Sequence, residues 1–146
     1  MFGDGFPRNE GRARFTPASI IAPAETPDHD YPLIMTTGRQ LEHWHTGSMT
    51  SRARVLSTLE PGPVISLNPA DIKELGLRED ETVIIESRRG RISSKIRADS
   101  RIQPQTVFMA FCYRDAAINL LTNSAMDPIG KIPEFKFCAV QVRPEG

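Results

Sequence analysis

The sequence has little of several features that would place a small protein in a class at once. Its 146 residues carry 18 basic and 18 acidic side chains, so the formal net charge is zero. This balance argues against a dedicated nucleic-acid-binding protein, which usually has a clear positive excess. The chain lacks an apolar run near the roughly 20 residues that a membrane-spanning helix needs, so we expect no membrane insertion. Because no secretory signal is recognisable, the cytoplasm is the expected location.

Cysteine and histidine are scarce, which limits the metal chemistry that the chain can support. Cys112 and Cys138 stand in apolar surroundings typical of buried free thiols, and the sequence leaves a disulfide between them open. Neither belongs to a cluster spaced for zinc or iron–sulfur ligation. His43 and His45 have the spacing of a metal-binding pair, but His29 lies in a proline-rich stretch and no further ligand is near. We therefore predict no metal-binding residue.

The sequence contains no arrangement of nucleophile, base and acid of the kind that hydrolases use. Ser48 lies three residues from His45, but no acidic partner accompanies them. Walker and Rossmann glycine fingerprints are also absent. We predict no catalytic residue, and a self-contained hydrolase or decarboxylase stays only as an alternative.

Twelve prolines and ten glycines divide the chain into short elements. One helix has a complete local signature, with Asn68 as its N-cap, Pro69 in the first turn and Gly76 after its end. A helical spacing of apolar residues predicts a second helix over 49–59, and a shorter one is expected within 115–121. Apolar and β-branched runs predict strands over residues 14–21, 33–37, 64–67, 82–87, 92–98, 107–112 and 137–142.

These strands do not alternate regularly with helices, which favours a mainly β, antiparallel or mixed barrel over a βαβ fold. A hairpin turn is predicted at residues 88–91, where Gly90 is expected to adopt a positive φ angle. We interpret Arg88, Arg89 and Arg91 as a solvated turn, with a docking patch as the alternative. The chain is divided into an N-terminal lead-in and linker, residues 1–30, and one compact domain, residues 31–146.

One loop, residues 36–50, has a composition that a structural turn does not require. Its sequence is Thr-Thr-Gly-Arg-Gln-Leu-Glu-His-Trp-His-Thr-Gly-Ser-Met-Thr. Gly38 lets the backbone approach a ligand, and Arg39 offers a planar fork of donors for a phosphate or carboxylate. Successive backbone N–H groups in such a turn can bind an anion. The alternative is a tight turn in which Arg39 forms an ion pair with Glu42.

This loop closely resembles the cofactor-binding loop of the C-terminal domain of formate dehydrogenase large subunits, which belong to the molybdopterin oxidoreductase family. The resemblance continues in residues 119–123, Asn-Leu-Leu-Thr-Asn, and in residues 127–128, Asp-Pro. It extends through residues 131–140, Lys-Ile-Pro-Glu-Phe-Lys-Phe-Cys-Ala-Val, and residues 5–15 are similar to the lead-in of the same domain. The combined motifs cover nearly the whole chain.

The resemblance implies a six-stranded double-psi β-barrel of the aspartate-decarboxylase-like type with a few short helices. It also implies a cofactor, bis-molybdopterin guanine dinucleotide carrying molybdenum or tungsten. In the full enzyme this cofactor carries the chemistry of formate oxidation to carbon dioxide, and the protein orients it. The residues that such enzymes use for catalysis lie upstream of this domain, so we expect no activity from the chain alone.

The resemblance also assigns cofactor-binding roles to particular residues. Thr37, Gly38, Arg39 and Thr46 are expected to hold the polar parts of the dinucleotide. His43 and His45 are expected to hydrogen-bond near the pyrophosphate and pterin, and Asn119, Phe135 and Lys136 are expected to face the cofactor. The residues by themselves also allow surface or capping histidines, a turn cap at Asn119 and a solvated Lys136.

The expected partners are the upstream catalytic domains of the large subunit and the other formate dehydrogenase subunits. Two alternatives stay open. The chain is the corresponding domain of a related nitrate reductase, or it is a non-catalytic double-psi barrel that recognises proteins. The second alternative would not need the loop residues, Asn119 and Lys136 to converge on one cleft.

Overall fold

The computed structural model describes residues 2–146, and the strands within them close into a six-stranded barrel. The strands are β1 (Leu33–Gly38), β2 (Val64–Leu67), β3 (Thr82–Ser87), β4 (Gly90–Ala98), β5 (Thr106–Ala110) and β6 (Cys138–Pro144). Their order around the barrel is β1-β5-β2-β4-β3-β6, and β6 pairs with β1 to close it. The predicted mainly β class and six-stranded barrel are confirmed.

Two strand pairs of the barrel are parallel, and they decide which loops meet. β1 runs parallel to β5, and β2 runs parallel to β4. The remaining neighbours are antiparallel, including the β3–β4 hairpin. Because parallel strands end at the same rim, the segments that follow β1 and β5 lie side by side.

The barrel interior is filled by the inward-facing residues of all six strands. On β4 the buried residues are Ile92, Ser94 and Ile96, which is the alternation expected for a strand with one face in the core. Val83 and Ile85 of β3 are fully buried in the same core. Burying each of these aliphatic side chains contributes roughly 1.5–3 kcal/mol, so the barrel is held mainly by its interior.

The helices are short. In α2 (Pro69–Glu74) the Asn68 side chain accepts a 2.9 Å hydrogen bond from the Ala70 N–H, and Gly76 has a φ angle of +68°, as predicted. The helix predicted over 49–59 is instead divided into a 3-10 turn (Thr50–Arg52) and α1 (Arg54–Leu59). Neither piece has a buried residue, so no core packing supports a continuous helix.

Three further local predictions are wrong. Residues 14–21 form no strand in the structure, and their apolar side chains, such as Phe15 and Ile20, are fully exposed. Strand β5 ends at Ala110, two residues earlier than predicted. Gly90 is the first residue of β4 and does not have a positive φ angle. Its small size matters because an added Cβ would lie 3.3 Å from the Leu120 carbonyl oxygen.

The turn between β3 and β4 is exposed, but two of its arginines also have partners within the chain. Arg88 and Arg89 both form ion pairs with Glu25, and Arg88 also pairs with Asp28. The Arg88 guanidinium lies 4.6 Å from the centre of the Tyr31 ring. Glu25, Asp28 and Tyr31 lie at the end of the lead-in or directly after it. These contacts with the turn therefore attach this part of the chain to the barrel.

Candidate functional site

The ends of β1 and β5 define one rim of the barrel. Gly38 and Ala110 are register partners at the ends of these parallel strands. The Phe111 N–H donates a 3.2 Å hydrogen bond to the Gly38 carbonyl, which continues the pairing into the loops. We call residues 39–49 the β1 loop and residues 111–117 the β5 loop.

A cavity of about 790 Å³ opens beside these two loops. Its wall combines hydroxyl, guanidinium and amide donors with two carboxylates and two aromatic rings. The residues that carry these groups are Thr46, Ser48, Ser51, Ser57, Arg52, Arg114, Asn119, Glu60, Asp115, Phe111 and Tyr113. Such a wall suits a large polar ligand that carries phosphates and a heterocycle.

His43 anchors the β1 loop from inside. Its side chain is buried, with Nε2 3.0 Å from the Glu60 carbonyl oxygen and Nδ1 3.4 Å from Thr50 Oγ1. Since a carbonyl only accepts, Nε2 carries the hydrogen and donates a hydrogen bond to the backbone carbonyl of Glu60. The ring also packs edge-on against Tyr113 and lines the cavity. Both nitrogens are thus engaged within the protein, and a direct contact with the cofactor stays a prediction.

The β1 loop turns sharply at its tip and presses against the β5 loop. His45 and Gly47 have φ angles of +49° and +72°, and the Gly47 N–H donates to the Trp44 carbonyl at 2.9 Å. A Cβ on Gly47 would lie only 2.6 Å from the Cys112 carbonyl oxygen. The close contact of the two loops therefore requires glycine at this position.

The two histidines of the β1 loop do not form a pair. His45 is exposed and packs against Trp44 and Phe111, whereas His43 is buried. Across residues 2–146 no three His, Cys, Asp or Glu side chains come together in a way that could hold a metal ion.

Gln40 supplies a buried polar group without a protein partner. Its Oε1 accepts a 2.8 Å hydrogen bond from the Tyr113 hydroxyl and a longer one from Cys112 Sγ. Its buried Nε2 has no hydrogen-bond partner among the residues that the structure describes. An unpaired buried donor costs free energy, and a ligand acceptor or a water would remove that cost. Gln40 does not line the cavity, so this donor lies behind the wall. The fit to a polar heterocyclic ligand rests on the lining donors, such as Thr46, Arg114 and Asn119.

Tyr113 gives this part of the site a measurable pH dependence. Burial raises the pKa of Tyr113 to about 12 from its ordinary value of 10.0. The unfolded chain therefore loses the phenol proton near pH 10, whereas the folded chain keeps it to a higher pH. Because the unfolded state then binds fewer protons, the free energy of unfolding falls as the pH rises through this window.

We expect Tyr113→Phe to make that alkaline decline shallower. Urea unfolding between about pH 9 and 11 measures it, and the wild-type slope should be the steeper of the two. The absorbance titration of the phenols gives a second measurement, since the variant retains only Tyr31. Identical slopes in the two proteins would contradict a buried neutral phenol at this position.

A second group of predicted site residues lies at the end of β1. Thr37 Oγ1 donates a 2.8 Å hydrogen bond to the Phe135 carbonyl, and Lys136 Nζ donates to the Thr37 carbonyl. Lys136 Nζ is also 5.3 Å from the centre of the Phe135 ring. The fold thus joins residues nearly one hundred positions apart in the chain, next to the start of the β1 loop.

The comparisons with known proteins agree with this geometry. The chain matches the model of the Molydopterin dinucleotide binding domain over residues 33–139. The chain belongs to this family. The membership confirms the molybdopterin dinucleotide as the expected cofactor and does not distinguish molybdenum from tungsten.

Members of this family with curated functions show where such a domain occurs. The chain is 43% identical over 139 residues to the F420-dependent formate dehydrogenase subunit alpha of Methanocaldococcus jannaschii, covering 95% of this chain and 21% of that protein. It is 39% identical over 137 residues to the F420-dependent formate dehydrogenase 2 subunit alpha of Methanococcus maripaludis, covering 94% and 20%. The chain therefore spans about one fifth of the length of these relatives. Neither relative favours the nitrate reductase alternative.

A solved structure shares the fold of the domain. Acetylene hydratase from Pelobacter acetylenicus superimposes with a TM-score of 0.68 and 19% identity, over 78% of this chain and 18% of that one. At this identity the likeness shows the shared barrel and says nothing about the reaction. The barrel of the molybdopterin dinucleotide family is thus confirmed by sequence and by structure.

The structure brings most of the predicted cofactor-binding residues to one end of this family's barrel. His43, Thr46 and Asn119 line the cavity. Thr37, Phe135 and Lys136 lie together beside Gly38 at the end of β1, but none of these four residues lines the cavity. Arg39 and His45 lie on the β1 loop and are exposed. Gly38 has a packing reason as well, because an added Cβ would lie 2.4 Å from the Phe108 ring.

Two arginines of the cavity wall were missed by the sequence analysis. Arg114 lies in the β5 loop and Arg52 in the 3-10 turn after the β1 loop. Arg114 comes shortly after the apolar run 107–112, and Arg39 comes shortly after the apolar run 33–35. Polar residues that follow two apolar strands would have indicated a site at one rim of the barrel if the strands had been known to be parallel. The sequence does not show that β1 and β5 are parallel.

Proposed function

We propose that this chain is the dinucleotide-binding part of a formate dehydrogenase alpha subunit and that it holds molybdopterin guanine dinucleotide in the cavity beside β1 and β5. The observation that carries the proposal is the 790 Å³ cavity, which collects donors from the β1 loop, the β5 loop and the Ile118–Leu120 3-10 turn. The 43% identity to a formate dehydrogenase alpha subunit supports the choice of enzyme.

The groups of the cavity wall match the parts of a guanine dinucleotide. Arg52 and Arg114 suit the pyrophosphate because a guanidinium binds phosphate oxygens through paired N–H donors. The Asn119 amide both donates and accepts, which suits the edge of a guanine or pterin ring. The Thr46 hydroxyl adds a donor in the same wall. When bound, the cofactor supplies the molybdenum or tungsten centre at which formate is oxidised.

The proposed role is to bind and orient the cofactor, with the reaction carried out together with other parts of the enzyme. The chain spans about one fifth of the length of its formate dehydrogenase relatives, and we expect that the purified chain does not reduce a dye with formate. Exposed Phe15, Ile20 and Ile21 of the lead-in support packing against further domains or subunits. Dye reduction by the purified chain would contradict this division of roles.

We place the enzyme in the cytoplasm. This placement is supported by the two cysteines, which are free and buried, as is usual in a reducing compartment. No helix in the described part of the chain is long and apolar enough to cross a membrane.

The test of the proposal is the binding of GDP, which carries the guanine and diphosphate of the dinucleotide. We expect Asn119→Ala to weaken GDP binding about three- to tenfold, the cost of one lost hydrogen bond. The stability of the protein should change little because Asn119 is exposed. Isothermal titration with GDP and amide NMR shifts in the β1 loop give the two measurements.

Asn123→Ala is the matched control. The Asn123 Oδ1 accepts a 2.9 Å hydrogen bond from the Ala125 N–H, and its Nδ2 donates to the Phe137 carbonyl at 3.2 Å. This asparagine braces a turn and does not line the cavity. Its loss should lower stability by about 1–3 kcal/mol and leave GDP affinity nearly unchanged. Equal GDP affinity in wild type and Asn119→Ala would contradict the proposed site.

A further inference from the structure

Arg89, at the turn between β3 and β4, makes hydrogen bonds in two directions. Its Nη1 and Nη2 donate to the two carboxylate oxygens of Glu25 at 2.9 and 2.8 Å. Its Nε and Nη2 donate to the Leu121 carbonyl at 3.0 and 2.8 Å. One guanidinium therefore connects the N-terminal lead-in to the segment that follows β5.

The Glu25 end of this connection is well shielded from solvent. Only 12% of its side chain is exposed, and Oε2 also accepts a 3.2 Å hydrogen bond from the Ala139 N–H of β6. Burial raises the pKa of Glu25, but the hydrogen bonds from Arg89, Ala139 and Arg88 outweigh it, so the pKa lies below its ordinary value. Glu25 is thus an ionised, fixed partner that sets the orientation of the guanidinium.

The Leu121 end of the connection supports a cavity residue. Leu121 is fully buried and caps the 3-10 turn Ile118–Leu120. Carbonyls at the end of a helical turn lack donors within the turn, and Arg89 supplies one here. Ile118 of the same turn is anchored in the core, whereas Asn119 lines the cavity. The direction of Asn119 therefore depends on how this turn is held.

We propose that Glu25 and Arg89 are positioning residues for the dinucleotide site, because they hold the 3-10 turn that presents Asn119 to the cavity. This inference rests on the proposed function for the identity of the ligand. Under this inference the lead-in helps to shape the dinucleotide site through Glu25, whereas the sequence analysis predicted only a surface linker there. The lead-in orients Arg89, Arg89 fixes Leu121, and the turn presents Asn119.

The experiment uses the full 146-residue chain with the variants Arg89→Lys and Glu25→Gln. Lysine keeps the charge but offers a point donor that cannot serve both Glu25 and the Leu121 carbonyl. Arg143→Lys is the control, since Arg143 pairs with Glu86 at 3.2 Å and has no contact with the turn. The first measurement is the backbone and side-chain amide NMR shifts of Asn119 without ligand, and the second is GDP affinity.

Both site variants should shift the Asn119 signals and weaken GDP binding about three- to tenfold, while the control changes neither. The double variant should weaken binding no more than one single variant does, because both act through one connection. Those shifts at Asn119 separate a positioning role from general support of the fold.

The outcomes are distinguishable. Unchanged Asn119 signals in folded Arg89→Lys and Glu25→Gln would overturn the inference, whatever the GDP result. If wild type itself fails to bind GDP, the proposed function is contradicted, and the ligand-free Asn119 shifts still decide the positioning role. Should Arg89→Lys fail to fold, Glu25→Gln, which keeps the size and one acceptor oxygen, decides the question.

Discussion

Gly47→Ala is expected to destabilise the protein by roughly 2–5 kcal/mol and to abolish most GDP binding. Two costs add at this position. A left-handed backbone conformation costs an alanine about 1–2 kcal/mol, and steric crowding in a packed region adds about 1–3 kcal/mol. The crowding arises because the new Cβ would lie 2.6 Å from the Cys112 carbonyl oxygen, which belongs to backbone and cannot rotate away.

Gly76→Ala is the matched control for the backbone cost. Gly76 has a φ angle of +68°, close to the +72° of Gly47, but an added Cβ meets nothing within 4 Å. It should cost only about 1–2 kcal/mol and leave GDP affinity unchanged. Urea unfolding of both variants isolates the steric cost as the difference between them. Equal destabilisation would show that the β1 and β5 loops are not pressed together as the structure describes.

Leu121→Ala should lower the free energy of unfolding by about 2–5 kcal/mol. Its side chain is fully buried in the barrel core, so truncation removes apolar contacts and leaves a void that the rigid barrel cannot fill. Since Leu121 caps the turn that carries Asn119, we also expect weaker GDP binding in the fraction that stays folded. Denaturant unfolding measures the loss in the free energy of unfolding, and equal m-values would show that the two proteins unfold by the same transition.

The adjacent leucine provides the control. Leu120 is 59% exposed, so Leu120→Ala should change stability by no more than about 0.5 kcal/mol. The two variants remove the same atoms from neighbouring positions and differ only in burial. A similar loss of stability in both would mean that Leu121 does not face the core.

Strands with a clear pattern were predictable, and elements that depend on distant partners were not. The alternation on β4 depends only on which residues are apolar, and the structure reproduces it at Ile92, Ser94 and Ile96. The Asn68 cap is equally local, since its hydrogen bond reaches only to Ala70. The predicted strand over residues 14–21 failed because a strand needs a neighbour, and the barrel is already closed without it.

The candidate site divides in the same way. The composition of the β1 loop and its resemblance to formate dehydrogenases indicated a molybdopterin dinucleotide domain, and the family match over residues 33–139 confirms it. Arg114 and Arg52 were missed because their place in the cavity wall depends on the parallel pairing of β1 with β5. The role of Gly47 was also not visible, since it depends on the Cys112 carbonyl of another loop.

The sequence alone determined the short strands, the capped helix and the family of the chain, because each depends on residues that are neighbours in the chain or on a recognisable string. Tertiary structure alone decided which ends of strands meet, which histidine is buried and what the arginines of the β3–β4 turn bind. The physical reason is distance. Thr37 and Lys136 are 99 residues apart in the chain, and the β1 and β5 loops are separated in the sequence by the strands β2 to β5. Only strand pairing makes these distant segments neighbours.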